Sequence, residues 1–467
     1  MDEKSIKLAI VGHTNTGKTS LMRTLTRDAE FGEVTPSPST TRQVEGALLQ
    51  VDGQTIVELY DTPGLEDAGS LIETLDQISA GRHDGPHRIQ QFLAGDCANR
   101  RFEQEARVLT RVLDSTAALY VIDAREPVLG KYQDELAILA LCARPVLPVL
   151  NFTASEDARS NEWREALARV NLHAVAEFDT MVFSIEAETK LWQRLISLLD
   201  QHGDCLQQLI HQRELQAEWQ HHAAVRALAE LLIDAAGCQR TAGKDDAIAQ
   251  QQVSVALKQA ITQHEQNAIA QLLSLYQFNA EDIELLELPI YDGRWHTDLF
   301  DPTALGFYAG RVGRGAGAGA AAGAAVDVAT GGLSLGAGTV IGTLVGTGFG
   351  TSWAAGRNLL DSVRGLIRIQ ADDATLTFLA WRQIQLVRAL SQRGHASVKP
   401  TRFADMPEDA KQQSIWPNDR LPSPLIKARL KPSVSLLNNE HSAGSSTRDR
   451  LVSELVETMS QMNTRKT

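Results

Sequence analysis

The stretch Gly12-His13-Thr14-Asn15-Thr16-Gly17-Lys18-Thr19 decides the fold of the N-terminal part of this chain. An apolar run at residues 7–11, typical of a buried strand, precedes it, and a helical pattern at residues 20–25 follows it. Strand, glycine loop and helix in this order are the context in which GxxxxGK[ST] binds phosphate. The sequence therefore predicts a nucleotide site, and the alternative is a glycine-rich turn with a solvent-exposed lysine.

The residues of this loop have separate predicted roles. Gly12 and Gly17 let successive backbone N–H groups face a phosphate, and the helix N-terminus adds the positive end of its dipole. Lys18 reaches the β- and γ-phosphates, and the Thr19 hydroxyl ligates Mg²⁺. The nucleotide contacts expected in the loop are Gly12, Asn15, Thr16, Gly17, Lys18, Thr19 and Ser20.

A second motif, Asp61-Thr62-Pro63-Gly64, follows the apolar strand predicted at residues 56–60. Asp61 at the strand end can hold Mg²⁺, usually through water. Gly64 can donate its N–H to a γ-phosphate and move when that phosphate leaves. Between the two motifs lies the polar loop of residues 36–42, where Thr41, with Thr40 as the alternative, is the expected hydroxyl ligand of Mg²⁺. Lys18 and Thr41 are the residues expected to act in catalysis.

Residues 6–199 resemble a P-loop GTPase of the TrmE–Era–septin branch. Ser39-Thr40-Thr41-Arg42 resembles the switch I signature of that branch, and Asp61-Thr62-Pro63-Gly64-Leu65 resembles its switch II signature. Leu65 stands where Ras-like proteins carry a catalytic glutamine, so the resemblance implies slow hydrolysis or help from another group. Asn15 resembles the loop asparagine of members that use K⁺ to neutralise charge, and simple hydrogen bonding within the loop stays open.

The segment expected to recognise the base departs from the branch. The strand predicted at residues 145–150 is followed by Asn151-Phe152-Thr153-Ala154 where the resemblance implies NKxD. Asn151 is in place, but Ala154 replaces the aspartate that accepts two N–H groups of guanine, and Glu156 or Asp157 could substitute from a shifted loop. Ser184 begins a segment that loosely resembles an SAK-type loop. GTP is the expected nucleotide, with looser purine specificity and a P-loop ATPase left open.

Short apolar strands alternate with helical stretches up to residue 199, which predicts an α/β domain with a mostly parallel sheet and helices on both faces. Asp52-Gly53 predicts a hairpin, hence one antiparallel pair at a sheet edge. The last strand is predicted at residues 181–183. Between the second motif and residue 117, a turn is favoured over a metal site for His83, Asp84 and His87. A solvated helix start is favoured over an arginine finger for residues 100–101.

Helical periodicity dominates the remainder and predicts a mainly α-helical second domain. The predicted parts are residues 1–199, the GTPase domain; 200–305, helical; 306–357, a glycine-zipper hairpin; 358–437, helical and irregular; and 438–467, a flexible tail with a short helix at 451–462. Residues 359–390 are expected to form one or two amphipathic helices.

Glycines in the predicted hairpin repeat at every fourth residue, as at Gly338, Gly342, Gly346 and Gly350. On a helix this spacing places them on one face, where another backbone can approach closely. Residues 328–356 carry no charge, and this stretch exceeds the roughly 20 residues that cross a bilayer. Two interpretations remain: the hairpin enters or lies on a membrane, or it packs inside the C-terminal domain.

The composition limits the function classes. Lys and Arg number 45 and Asp and Glu 58, so the net charge is −13, and aromatic residues are 5%. An acidic chain poor in aromatic residues is a weak candidate for nucleic-acid binding. The four cysteines form no CxxC pair and indicate a reducing compartment. With no apolar signal segment at residues 1–4, we expect a cytoplasmic protein, with association with the inner membrane left open.

The order of parts resembles a family of bacterial GTPases whose C-terminal half is a domain of unknown function. The predicted function is a slow Mg²⁺-dependent GTPase switch, binding GTP and GDP, that controls the helical C-terminal part. The alternative is a membrane or scaffold protein whose nucleotide domain barely hydrolyses GTP. A membrane partner for residues 306–357 and a homo-oligomer remain open.

Overall fold

The computed structural model describes residues 5–27, 46–78, 84–182, 184–278, 290–291, 294–295, 299–300, 365–392, 415–416, 420–438 and 446–464. Some sequence-based predictions lie outside these residues, namely the loop with Thr40 and Thr41, the glycine-zipper hairpin at 306–357, His83, and Phe183 of the last predicted strand. The chain forms two compact units, with a boundary between Glu218 and Trp219.

The first unit is built on one six-stranded sheet. Its strands are β1 Ile6–Val11, β2 Gly46–Val51, β3 Gln54–Asp61, β4 Ala117–Asp123, β5 Val146–Asn151 and β6 Ala176–Glu177. They are arranged in the order β2-β3-β1-β4-β5-β6. Only the β2–β3 pair at the edge is antiparallel, and every other pair in this sheet is parallel. The predicted α/β fold with a mostly parallel sheet is confirmed.

The edge hairpin forms where the sequence placed it. Asp52 and Gly53 both have positive φ, 50° and 80°, which matches the right-handed twist of the flanking strands. Glycine adopts this conformation without strain, and aspartate tolerates it better than most residues.

Helices cover both faces of the sheet. They are α1 Lys18–Thr26, α2 Ala68–Gln77, α3 Gly85–Leu93, α4 Asp96–Arg100, α5 Glu103–Asp114, α6 Gly130–Leu141, α7 Ser160–Arg169 and α8 Ile185–Leu198. Successive residues of a strand point to opposite faces. Within β4, Tyr120 and Ile122 accordingly belong to one apolar cluster, and Leu119 and Val121 belong to the other. Every residue of β4 is buried, as expected for a central parallel strand.

The last strand of this sheet lies earlier in the chain than predicted. The sixth strand is Ala176–Glu177, which pairs with Val149 and Leu150 of β5. Asp179 redirects the chain after this strand, because its carboxylate Oδ1 accepts the Met181 N–H at 2.8 Å. Met181 therefore lies in a loop that leads to α8.

The second unit is mainly helical, as predicted. Helix α9 Gly203–Gly237 begins in the first unit and ends in the second, and the other helices of the second unit are α10 Ala247–Leu275, α11 Asp373–Gln392, α12 Ser423–Leu430 and α13 Ser446–Thr464. The first unit extends beyond residue 199 because Leu206, Leu209 and Ile210 of α9 are buried with strand residues of the sheet. No helix in the described ranges is long and apolar enough to cross a membrane.

The second unit also contains strands that the sequence analysis missed. Strand β7, Gln239–Gly243, pairs antiparallel with β10, Leu366–Gln370, and β8 Ile290–Tyr291 pairs with β9 Arg294–Trp295. The helix predicted over residues 359–390 is therefore wrong in its first part. Ile367 and Ile369 contact the core and alternate with Arg368 and Gln370, which is the period of a strand.

The C-terminal segment differs from the predicted flexible tail. Residues 446–464 form α13, and Leu451, Val452 and Leu455 of this helix are buried in the main apolar cluster of the second unit. The short terminal helix predicted at residues 451–462 is thus present and longer than expected. Burial of one apolar face stabilises it.

Candidate nucleotide site

Two glycines of the phosphate loop lie in contacts that leave no room for a side chain. Gly12 has φ 147°, and a Cβ atom there would stand 2.4 Å from the carbonyl oxygen of Val121. Gly17 has φ 91°, and its Cβ would stand 2.2 Å from Nδ2 of Asn151. The loop can therefore curl into a cradle of backbone N–H groups only with glycine at both positions.

Lys18 is the first residue of α1 and bends back over the loop. Its Nζ donates to the carbonyl oxygens of His13 at 2.7 Å and Gly12 at 3.1 Å. Lys18 is buried, and this burial lowers its pKa, although the carboxylates of Asp61, Glu135 and Glu66 act in the opposite direction. A phosphate at the loop would supply the counter-charge that a buried ammonium group favours.

The two expected magnesium ligands that the structure describes are brought together. The Thr19 hydroxyl donates to Oδ2 of Asp61 at 2.7 Å, and Oδ1 of Asp61 accepts the Thr62 N–H at 3.0 Å. The end of β3 lies beside the end of β1, since Ile10 and Asp61 are register partners. A hydroxyl and a carboxylate oxygen beside a phosphate cradle are donors of the kind that Mg²⁺ takes, so these residues fit this ion.

The other predicted loop residues have varied surroundings. The Thr16 side chain is buried and donates to the carbonyl oxygen of His13 at 3.0 Å, so only its backbone could face a phosphate. Ser20 lies in the first turn of α1. Asn15 is exposed and has φ 66°, a left-handed conformation that asparagine tolerates better than most residues.

Switch II, here residues 61–67, lies directly against the phosphate loop. A Cβ atom on Gly64 would stand 2.3 Å from Oγ1 and 2.8 Å from the backbone nitrogen of Thr14. The Thr14 hydroxyl in turn donates to Oε1 of Glu66 at 2.9 Å. Leu65 is 1% exposed and belongs to an apolar cluster, so its side chain is turned away from solvent.

Helix α5 holds switch II through two residues that the sequence analysis missed. The Gln104 side-chain amide donates to the carbonyl oxygen of Gly64 at 2.8 Å. Oε1 of Glu105, a buried residue, accepts the N–H groups of Asp67 at 3.2 Å and Glu66 at 3.4 Å. The sequence contains a signal for Glu105. Residues three and four positions apart lie on the same face of a helix, and positions 108 and 109 are apolar, so Glu105 falls on the buried face.

A hydrogen-bond network centred on the buried Glu135 joins the phosphate loop to α6. Nδ1 of His13 lies 2.8 Å from Oε1 of Glu135 and 3.0 Å from the carbonyl oxygen of Leu65, and its Nε2 lies 3.0 Å from Nζ of Lys131. The Tyr120 hydroxyl donates to Oε2 of Glu135 at 2.8 Å. Burial raises the pKa of the Glu135 carboxyl and raises that of Tyr120 well above its ordinary value. His13 thereby fixes the loop and switch II to one scaffold.

Asn151 uses both the nitrogen and the oxygen of its side-chain amide on protein partners. Nδ2 donates to the carbonyl oxygen of Thr16 at 3.0 Å, and Oδ1 accepts from the backbone of Phe152 and from both the backbone and the hydroxyl of Thr180. It is fully buried and links the phosphate loop to the loop after β6. Ser184 caps α8, because its hydroxyl oxygen accepts the Ala187 N–H at 3.1 Å.

The alternatives for residues 84–101 also have structural outcomes. The Asp84 side chain caps α3 by accepting the His87 N–H at 3.2 Å, in line with the favoured turn. Over the stretches of chain that the structure describes, no group of three or more His, Cys, Asp or Glu side chains could hold a metal ion. Arg100 ends α4, and Arg101 pairs with Asp67 of switch II at 3.5 Å.

Comparison with known families divides the chain in the same way. Residues 7–152 match the family described as 50S ribosome-binding GTPase, and residues 164–457 match a domain of unknown function, DUF3482. The second match alone covers more than half of the chain.

Similar proteins are GTPases that share part of the chain. GTPase Der of Rhodopirellula baltica is 31% identical over 128 residues, which are 27% of this chain and 26% of that protein. The tRNA modification GTPase MnmE of Lactococcus lactis is 29% identical over 188 residues, covering 40% of this chain and 36% of that protein. GTPase Der of Xylella fastidiosa is 32% identical over 187 residues, 38% of this chain and 39% of that protein. The chain thus spans less than two fifths of each relative's length.

Among solved structures, Era in complex with MgGDPNP and a 16S ribosomal RNA fragment is 18% identical, with a TM-score of 0.27 over 38% of this chain and 51% of that chain. The G domain of the T. maritima FeoB iron transporter is 16% identical, with a TM-score of 0.23 over 41% of this chain and 99% of that chain.

Proposed function

Since this chain belongs to the family defined by the domain of unknown function DUF3482, here preceded by a P-loop GTPase domain, we propose that it is a slow Mg²⁺-dependent GTPase that acts as a nucleotide-controlled switch. A GTPase domain formed by residues 1–199 belongs to the same proposal, and the first compact unit continues beyond it into α9 as far as Glu218. GTP is the substrate, and GDP is the product that stays bound until exchange.

One observation carries this proposal, namely the cluster of Lys18, Thr19 and Asp61 at the ends of two adjacent parallel strands. The Thr19 hydroxyl and the Asp61 carboxylate are 2.7 Å apart, and the buried Lys18 ammonium belongs to the same loop. Positive charge, hydroxyl and carboxylate in one place are what a magnesium–triphosphate complex requires.

Each residue has a distinct part in this mechanism. Lys18 neutralises charge on the β- and γ-phosphate oxygens, and the backbone N–H groups of the loop hold the same oxygens. Thr19, Asp61 and, as proposed from the sequence, Thr41 would hold Mg²⁺, which supplies further charge neutralisation. The Gly64 N–H would contact the γ-phosphate, so loss of that phosphate on hydrolysis releases switch II.

Slow turnover follows from Leu65. This side chain is buried among apolar residues and carries no group that could orient water. Without an orienting group at this position, the rate depends on electrostatic stabilisation alone or on assistance from elsewhere.

The test is GTP binding by titration calorimetry, with Lys18→Ala as the variant and Lys190→Ala, an exposed lysine on α8, as the control. We expect the parent and the control to bind GTP in the presence of Mg²⁺, and Lys18→Ala to show no binding at micromolar protein. Unchanged affinity in Lys18→Ala would place the phosphate site elsewhere and overturn the proposal.

Single-turnover hydrolysis separates this function from its alternatives. A GTPase releases phosphate from bound GTP, whereas a scaffold with a barely active nucleotide domain keeps GTP intact. The ATPase alternative predicts the same reaction with ATP in preference to GTP.

The glycine spacing also supports a proposal about location. The protein would be cytoplasmic and would associate with the inner membrane, or with a membrane protein, through residues 306–357. A homo-oligomer is proposed on the same basis, because glycine stripes favour close helix contacts. Flotation of the full chain on liposomes tests the membrane part.

A further inference from the structure

The order of strands fixes where the nucleoside of a bound nucleotide must lie. The phosphate loop follows β1, and Asp61 and Gly64, the candidates for the magnesium and γ-phosphate contacts, follow β3 on one side of it. The triphosphate therefore runs toward β3. The nucleoside must then extend to the opposite side, over the carboxyl ends of β4 and β5, where ligands of open α/β sheets bind.

An aromatic side chain stands at this end of the sheet. Phe152 directly follows β5, and its Cζ would lie 3.3 Å from a Cβ atom built on Gly17 of the phosphate loop. Its φ is 57°, an unusual conformation for a bulky residue. Oδ1 of Asn151 holds that backbone by accepting the Phe152 N–H at 2.9 Å. The surrounding structure thus fixes this half-buried ring beside the loop.

One face of the Phe152 ring is covered by a guanidinium group. The Arg125 side chain lies 4.0 Å from the ring centroid, and it follows β4, the neighbouring strand. Asp123 anchors it with two bonds, from Nε to Oδ1 at 2.9 Å and from Nη2 to Oδ2 at 2.7 Å. The planar group therefore supports the ring from behind, and a purine can stack on the ring in the same way.

The carboxylate that the related GTPases are expected to use for guanine is absent from this loop, and the buried Asp179 carboxylate beside it is engaged by backbone N–H groups. Glu156 and Asp157, which the sequence left open as substitutes, are exposed. Ala154 occupies the position where the related GTPases are expected to carry aspartate. Asp179 is close, but its Oδ2 accepts the Ala154 N–H and its Oδ1 the Met181 N–H, each at 2.8 Å, and the residue is buried. These hydrogen bonds join the loop after β5 to the loop after β6.

We propose that Phe152, backed by Arg125, is the platform on which the purine base stacks, and that the protein does not recognise the 2-amino group of guanine. This inference rests on the proposed function and specifies its substrate class, which is purine nucleoside triphosphates irrespective of the substituent at position 2. Stacking tolerates a changed substituent at position 2, because every purine has a π-face. A carboxylate that accepts two N–H groups of guanine would not tolerate the loss of one of them.

The first test uses the parent protein with Mg²⁺. GTP, inosine triphosphate, which lacks the 2-amino group, and xanthosine triphosphate, which has an oxygen there, compete against a fluorescent GTP labelled on the ribose. We expect the three affinities to agree within about threefold. A preference for GTP over inosine triphosphate of tenfold or more would mean that a carboxylate recognises the base, and would overturn the inference.

The second test uses variants. Phe152→Leu keeps an apolar side chain without a π-face and should weaken all three nucleotides alike, by about tenfold or more. Phe152→Tyr should retain them, and Leu129→Ala, at an exposed apolar residue, is the control. Ala154→Asp should create a preference for GTP over inosine triphosphate of about tenfold or more.

The outcomes separate this inference from the proposed function. Equal loss of affinity in Phe152→Leu and the control would refute the platform while leaving nucleotide binding in place. If the parent binds none of the three nucleotides, the proposed function itself fails, and the platform fails with it.

Discussion

The side-chain nitrogen of Gln104 lies 2.8 Å from the carbonyl oxygen of Gly64 and donates a hydrogen bond to it. Gly64 is the residue whose N–H would contact a γ-phosphate. Its N–H would thus be held by the phosphate, and its carbonyl oxygen is held by α5. Glu105, the next residue, accepts two further N–H groups of switch II. Helix α5 therefore holds the segment that the nucleotide is proposed to move.

Loss of the Gln104 amide should slow hydrolysis more than it weakens binding. In Gln104→Ala the Gly64 carbonyl loses its donor, so the N–H of the same glycine is less well oriented toward the γ-phosphate. We expect the single-turnover rate of GTP hydrolysis to fall several-fold, with GDP affinity unchanged within about twofold. Hydrogen exchange at residues 64–67 should become faster.

Gln91→Ala is the matched control, because Gln91 is an exposed glutamine on the neighbouring helix α3. It should leave both the rate and the exchange unchanged. A Gln104→Ala protein with the parent's hydrolysis rate would show that α5 does not orient Gly64 for the reaction.

Potassium dependence tests the role of Asn15. If its amide helps to coordinate a monovalent cation, replacing K⁺ by Na⁺ at equal ionic strength should slow hydrolysis at least several-fold. Asn15→Gly is the sharpest variant, because glycine adopts the observed φ of 66° without strain and lacks only the amide. The variant should hydrolyse GTP at the same rate in both salts. Equal rates for the parent in K⁺ and Na⁺ would leave Asn15 as a residue selected for its backbone conformation.

Local patterns explain which parts of the fold could be predicted from the sequence. The phosphate loop, the hairpin at Asp52-Gly53 and the apolar strand β5 each depend on neighbouring residues, and all three lie where the sequence placed them. Strand β10 could not be separated from the following helix, because its partner β7 lies more than a hundred residues earlier in the chain. Pairing over such a distance leaves little signal in a short apolar run.

The candidate site follows the same division. Lys18, Thr19 and Asp61 were predictable because motif spacing places them at the ends of adjacent strands. Gln104, Glu105 and Glu135 come to the site from helices, and each acts on the main chain or side chain of a residue distant in sequence. Glu105 and Glu135 gave the same hint in the sequence, because each stands three and four residues before two apolar helix positions.

The Glu188 carboxylate is the centre of a buried ion pair that stabilises the first unit. Its Oε1 lies 3.4 Å from Nε of Arg213, and its Oε2 lies 3.8 Å from Nη2 of Arg27, which caps the C-terminus of α1. Glu188 is 1% exposed. Burial lowers the pKa of Arg27, and Glu188 counteracts this effect. The buried carboxylate therefore balances two arginines that are themselves largely shielded from solvent.

Glu188→Ala should accordingly destabilise the first unit far more than a surface change would. Removing one partner of a buried ion pair leaves an uncompensated charge, which typically costs about 3–5 kcal/mol of unfolding free energy. Glu186→Ala, at an exposed glutamate of the same helix, is the control and should cost about 1 kcal/mol or less, since this side chain is exposed and accepts a hydrogen bond from Ser184. Urea unfolding followed by fluorescence measures both, because Trp192 is buried and donates to Glu188 at 3.3 Å. Equal losses in the two variants would mean that water reaches the arginines and that the pair contributes no more to stability than a surface contact.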